Sequence, residues 1–150
     1  MLENNFAKVY TKFEMSLYAK IFNQDVDVDD RLTAIEVICV EVIYALNNPT
    51  IQEFANFAQL SAPNAAYKVN SLVKKGYVNK VQSEVDKREY HLEVTDKYMK
   101  TYGVTYDYIG IVMERIRNRF TPEEVAEVEK LLQVINEELM PEVKLENEKN

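Results

Sequence analysis

Residues 50–97 fix an order of local structure that few folds accept. Thr50 is followed three residues later by Glu53, the pairing of a capping box, and opens the short stretch TIQEFANFA. Gln59 and Leu60 interrupt it, Ser61 with Pro63 two positions on marks a second helix start, and Gly76 marks its end. Two β-prone runs follow, residues 77–83 and 89–94, separated by a charged tip at 84–88. In the second run Tyr90, Leu92 and Val94 are expected to face inward and Glu89, His91 and Glu93 outward.

Longer helical patterns flank this block. Phe6, Val9, Tyr10, Phe13, Leu17, Tyr18, Ile21 and Phe22 recur at three- and four-residue steps and predict a first helix of roughly 18 residues with an unusually aromatic face. Ile35, Ile38, Cys39, Val42, Ile43 and Leu46 predict a second over 33–46, closed by Asn47-Asn48-Pro49. From Thr95, one long helix is expected to carry Tyr98, Tyr102, Tyr106, Ile109, Val112, Met113, Ile116 and Phe120 on one face. Thr121-Pro122-Glu123-Glu124 starts a last helix striped by Val125, Val128, Leu131, Leu132, Ile135 and Leu139. The polar tail after Pro141 is expected to fray. The chain therefore reads as a single mostly α domain over 1–150, about six helices with a two- or three-stranded wing, and helical regions from both termini.

Composition narrows the function classes. With 47% hydrophobic residues and only three Gly and four Pro in 150, the chain is a folded globule and not a disordered segment. No apolar run approaches the roughly 18 to 20 residues of a membrane span, and MLENNFAK lacks the basic-then-apolar order of a signal peptide, so a soluble, cytoplasmic protein is expected. The single cysteine, Cys39, lies in the apolar run IEVICVEVIYAL and reads as a small core residue. One histidine, His91, one cysteine and no Gly-rich phosphate loop leave little for nucleophilic or dinucleotide chemistry; no catalytic residue, cofactor or zinc cluster is expected. His91 is expected outward on the wing, exposed or beside a phosphate.

One motif points falsely to calcium. Asp25, Asp27, Asp29 and Glu36 stand at positions 1, 3, 5 and 12 of an EF-hand loop. Asp30 occupies the position where that loop needs glycine, and Glu36 falls inside the helix over 33–46, out of reach of the other ligands.

The net charge of −7 argues at first against a nucleic-acid partner. The thirds of the chain differ, however. Residues 1–49 carry four basic and eight acidic side chains, 50–100 carry eight and six, and 101–150 carry six and eleven. Residues 61–80 hold Lys68, Lys74, Lys75 and Lys80 and no acid. A basic face on an acidic body is suited to orienting a polyanion. On the helix after Ser61, Ala66, Val69, Leu72 and Val73 are expected to form the buried stripe, with Asn64, Tyr67, Lys68, Ser71, Lys74 and Lys75 projecting away from it.

Two helices, a tight turn and a hairpin form a winged helix-turn-helix, which lays its second helix in a DNA groove and reaches sideways with the hairpin. Ser61, Leu72, Lys75 and Gly76, the strand start Tyr77-Val78, and the wing segment DKREYHLEVT with Asp86, Arg88, Leu92, Val94 and Thr95 carry a more specific likeness. On these residues the chain resembles the MarR family of bacterial winged-helix transcriptional regulators. Ala66 and Tyr67 depart from the hydroxyl and basic residues often found at their positions.

The resemblance implies a homodimeric double-stranded DNA-binding regulator, in the usual case a repressor. Residues 1–32 and 95–150 would dimerise, and 33–94 would be the DNA-binding lobe. Asn64, Tyr67, Lys68 and Ser71 would face base edges, with Ser61, Lys74, Lys75 and Lys87 on phosphates. Arg88 would enter the minor groove, its rotamer fixed by Asp86. A two-fold dimer implies a near-palindromic operator. Relatives hold effectors between dimer helices and DNA lobe, where Tyr10, Tyr18, Tyr98, Tyr102 and Tyr106 would face a small aromatic or amphipathic molecule. The alternative is a winged-helix protein-interaction module without DNA binding, favoured by the overall acidity and Tyr67.

Overall fold

Local signals decide where each element begins. Thr33, Thr50 and Thr121 each accept a hydrogen bond from the backbone N–H three residues on, and Glu36, Glu53 and Glu124 reach back to the cap's own N–H. Each such cap contributes about 1 kcal/mol. The computed structural model describes residues 1–145, so the last part of the tail expected to fray lies outside the described residues. In chain order it comprises α1 (Leu2–Phe22), a 3-10 turn (Val28–Asp30), α2 (Ala34–Ala45), α3 (Ile51–Ala58), α4 (Ala62–Lys74), β1 (Val78–Gln82), β2 (Tyr90–Val94), α5 (Asp96–Tyr102), α6 (Val104–Arg119) and α7 (Pro122–Glu138). This is the mostly α winged-helix architecture expected from the sequence.

The turn between α3 and α4 is made by Gln59, held in the left-handed region at φ 53°. At the far end of α4, Gly76 adopts φ +81°, its N–H bonds to Val73 O at 3.0 Å, and Tyr77 N–H bonds to Leu72 O at 3.0 Å. That double closure swings the chain into β1. Strands β1 and β2 pair antiparallel with Val78 opposite Val94 and Gln82 opposite Tyr90. The third strand is rudimentary: Leu92 N–H bonds to Pro49 O at 2.8 Å, beside a single bridge from Thr50 to His91.

The core sits among α2, α3, α4, the hairpin and α5. Val37, Val40, Phe54, Val69, Leu72 and Leu92 are completely buried there, each contributing about 1.5 to 3 kcal/mol by leaving water. Tyr77, Tyr98 and Tyr102 complete it as an aromatic cluster, with Tyr98 stacked on Tyr102 at 5.3 Å and Tyr77 edge-on to both. Their hydroxyls reach polar groups at its rim, Tyr77 on Asp30 O and Tyr98 on Glu41 Oε1.

Four expectations are corrected. The helix after Thr95 is not continuous: it breaks at Gly103, where an added Cβ would stand 2.2 Å from Met99 O. The tyrosine period runs through the break and hid it. In α4 the small residue packed inward is Ala65, whereas Ala66 is half-exposed. In β2 only Leu92 is fully buried; Tyr90 lies past the edge of the core and is exposed, with Lys80 Nζ 5.4 Å from its ring centroid. His91 is half-buried, not free on the wing, with Nδ1 3.0 Å from the carbonyl oxygen of Asn48.

Candidate nucleic-acid interface

The inward residues of α4 are Ala65, Val69 and Leu72, so the opposite face centres on Tyr67 and Lys74, with Asn64 and Asn70 beside them. All four are exposed, Tyr67 to 77%. Asn70 did not emerge from the sequence reading, although the same helical geometry places it three residues from Tyr67. Lysine and asparagine side chains on one exposed ridge offer donors and acceptors suited to base edges.

Lys68, Ser71 and Lys75 lie on a different flank, turned toward α2. Ser71 Oγ donates to Glu36 Oε1 at 2.9 Å, and Lys75 Nζ donates to the two Glu36 oxygens at 2.9 and 3.0 Å and to Arg31 O at 3.1 Å. Lys68 is half-buried and close enough to Cys39 to act on it electrostatically. Burial pushes the Glu36 carboxyl upward, but the Thr33 N–H, Lys75 and Ser71 together outweigh it and hold the group below its ordinary range. Glu36 is thus fully engaged within α2, and the calcium-loop positions are not brought together. Among the described residues no group of three or more His, Cys, Asp or Glu side chains is placed to hold a metal.

The first turn of α4 is poorer in free amides than expected for a phosphate seat. Ser61 Oγ takes the Asn64 N–H at 3.3 Å, and Pro63 has none. At the other end Lys97 Nζ donates to Lys75 O at 2.7 Å and pairs with Asp30 at 2.8 Å, setting a cation at the negative end of the helix.

The hairpin tip is stiffened by its own bonds. Ser83 Oγ accepts from the N–H groups of Val85 and Asp86, and Gln82 Nε2 donates to Lys87 O at 2.7 Å. Asp86 then grips Arg88 three times: Oδ1 accepts from its backbone N–H at 3.0 Å and from Nε at 3.1 Å, and Oδ2 accepts from Nη2 at 3.0 Å. The arginine side chain is nevertheless 90% exposed. The guanidinium holds the Asp86 carboxyl below its ordinary range. A fork fixed on one edge still has donors on the other, and little side-chain freedom remains to be lost on binding. Lys87 and Val85 project beside it, Val85 to 98% exposure.

The tyrosines assigned to an effector cavity separate into two groups. Tyr10, Tyr18 and Tyr106 line a cleft of about 440 Å³ between α1, α2 and α6, together with Phe13, Leu17 and Phe57. Tyr98 and Tyr102 do not reach it; both are completely buried in the aromatic cluster. The Tyr98 and Tyr106 phenols are pushed well upward by burial and by the carboxylate of Glu41 that both address, and Tyr77 is raised to about 12, chiefly by burial.

Two capped helices across a left-handed turn, a glycine stop and an antiparallel hairpin packed on the same core define a winged helix-turn-helix protein. Residues 32–90 match the model of the MarR family. The fold as a whole is similar to that of a MarR family protein from Bacillus stearothermophilus, at 14% identity and a TM-score of 0.59 over 92% of each chain. It is also similar to Streptococcus pneumoniae FabT in a complex with DNA, at 21% identity and a TM-score of 0.56 over 93% of this chain and 97% of that one. A third similar structure is a single-residue mutant of S. aureus MepR bound to an oligodeoxyribonucleotide, at 14% identity and a TM-score of 0.51 over 93% and 98%. A comparison with curated proteins finds no match. Among the described residues no helix is long and apolar enough to cross a membrane.

Proposed function

We propose that this chain is a sequence-specific double-stranded DNA-binding transcriptional regulator that acts in the cytoplasm as a homodimer. The observation that carries the reading is the fork between Asp86 and Arg88: an arginine held in one pose by Asp86 at a hairpin tip, with its side chain 90% exposed, keeps donors that Asp86 does not occupy for a partner outside the chain. The likeness in fold to FabT and MepR in their DNA complexes supports it. Asn64, Tyr67, Asn70 and Lys74 are the side chains of α4 suited to the major groove, with Arg88 in the minor groove and Lys87 on phosphate. Ser71 and Lys75, tied to Glu36, position α4 and do not contact DNA. Lys68 flanks the reading face, and Ser61 is chiefly the helix cap.

What α1, α6 and α7 leave uncovered supports the dimer. None of the three has a fully buried residue, and Phe6, Tyr10, Ile111, Leu131, Leu132 and Leu139 are all exposed. An unpaired apolar surface of this kind on a small protein marks an interface. Residues 1–32 and 95–150 supply the dimer and 33–94 the reading head, so two heads would address half-sites about one helical turn apart in a near-palindromic operator, as a repressor does. A small molecule in the cleft between α1 and α2 would change the spacing of the heads.

Titrating labelled duplex fragments at two salt concentrations tests this. Specific binding that weakens steeply with salt is expected, because phosphate contacts release counterions. Absence of binding to every fragment would instead favour a protein partner, for which the exposed Tyr67 and Val85 would be the contacts.

A further inference from the structure

The cleft between α1, α2 and α6 contains charge that DNA binding does not use. Its wall is apolar, with Phe13, Leu17 and Phe57 among the lining residues, yet two carboxylates, Glu14 and Glu41, also line it. Both side chains are half-buried, and among the described residues neither joins an ion pair. Glu41 is held by two phenols on opposite oxygens, Tyr98 donating at 2.6 Å and Tyr106 at 2.7 Å. Glu14 Oε1 accepts from Tyr18 at 3.4 Å, and Tyr10 is its neighbour. Phenol hydrogen bonds orient a carboxylate and leave its charge in place. Negative charge withdrawn from water without a counter-ion is costly, and a cation entering the cleft would relieve it.

The tyrosine rings add to the same preference. Tyr10, Tyr18 and Tyr106 line the cleft beside the carboxylates, and aromatic faces attract an organic cation more than they attract an anion. At about 440 Å³ the space is of small-molecule size. We infer that the cleft binds a lipophilic organic cation, such as a quaternary ammonium or phosphonium compound, with its apolar body against Phe13, Leu17 and Phe57 and its charge beside Glu14 and Glu41. An aromatic carboxylate would be placed against two like charges and is rejected. Any effect of the cation on operator binding rests on the function proposed above; occupancy of the cleft does not.

Tetraphenylphosphonium and tetraphenylborate have nearly the same shape and opposite charge, so calorimetric titration of the full chain with each separates charge from size. The cation is expected to bind saturably, one per subunit, at least about tenfold more tightly than the anion. Replacing both carboxylates, Glu14→Gln with Glu41→Gln, is expected to weaken the cation by about tenfold while melting temperature and helix content stay in place. Equal binding of the two ions, preference for the anion, or cation binding that the glutamine pair does not weaken overturns the inference. The comparison of the two ions uses the unaltered protein and decides the matter even where the double variant fails to fold. Duplex titration of the same preparation keeps the two proposals apart: cation selectivity without duplex binding removes only the regulator, and duplex binding without cation selectivity removes only the cleft.

Discussion

The winged-helix lobe and the helices that flank it solve the same problem in opposite ways. In the lobe, α2, α3, α4 and β2 all carry completely buried residues, whereas α1, α6 and α7 contain none. Polar groups differ between the lobe and α7: the lobe ties Glu36 to Ser71 and Lys75 across long sequence separations, while the bonds of α7 are local, such as Gln133 to Glu137. One region is therefore finished by its own chain. The other leaves apolar residues such as Phe6, Ile111 and Leu131 exposed, the surface that the proposed dimer would cover.

The largest expected effect tests the self-sufficiency of the lobe. Phe54→Ala removes a fully buried ring from the contact of α3 with the core and is expected to cost about 3 to 5 kcal/mol in chemical denaturation. Its counterpart in the flanking region is expected to behave differently: Leu131→Glu with Leu132→Glu should convert the proposed dimer to monomer in sedimentation while the lobe keeps its near-ultraviolet aromatic signal. If the pair leaves the association state unchanged, the difference between the regions has another origin.

Smaller effects sharpen the picture within the lobe. Gly76→Ala forces a side chain into the left-handed backbone that turns α4 into β1, and is expected to cost about 1 to 2 kcal/mol. Its Cβ would make only ordinary contact with Lys97, so a loss in thermal melting would report backbone conformation and not crowding. Acid titration should give the smallest change. Because the Glu36 carboxyl is held below its ordinary range in the folded chain, its contribution is present above the unfolded value, about 4.3, and is lost as pH falls through the lower folded value. Glu36→Gln is expected to flatten that acidic limb of the stability curve; an unaltered limb would show that the bonds to Ser71 and Lys75 do not hold α4.

What was legible in the sequence follows the range of the interactions. The capping box at Thr50 and Glu53, the helix start at Thr121, the turn at Gln59-Leu60 and the stop at Gly76 act over a few residues and are read from residue types, whereas the left-handed conformation of Gln59 is not. The grip of Asp86 on Arg88, two positions apart, is equally local. The sequence places Ser71 toward base edges and Lys75 toward phosphate, and it does not show their bonds to Glu36, which lies 35 and 39 residues away. Tyr98 and Tyr102 share a helical period with Tyr106, and periodicity alone does not distinguish a cluster sealed by Tyr77 from a cleft wall. The bend at Gly103 was hidden because the break leaves that period intact. Asn70 was passed over because the inward stripe was centred on Ala66 in place of Ala65.

The affinity of the unaltered protein and of Arg88→Ala for one bound duplex tests most directly whether the hairpin and α4 together read DNA. The variant is expected to bind more weakly by about 1 to 3 kcal/mol, with association state and melting temperature unchanged, since among the described residues the side-chain hydrogen bonds of Arg88 go to Asp86 at the exposed tip. Equal affinity of the two proteins would contradict it.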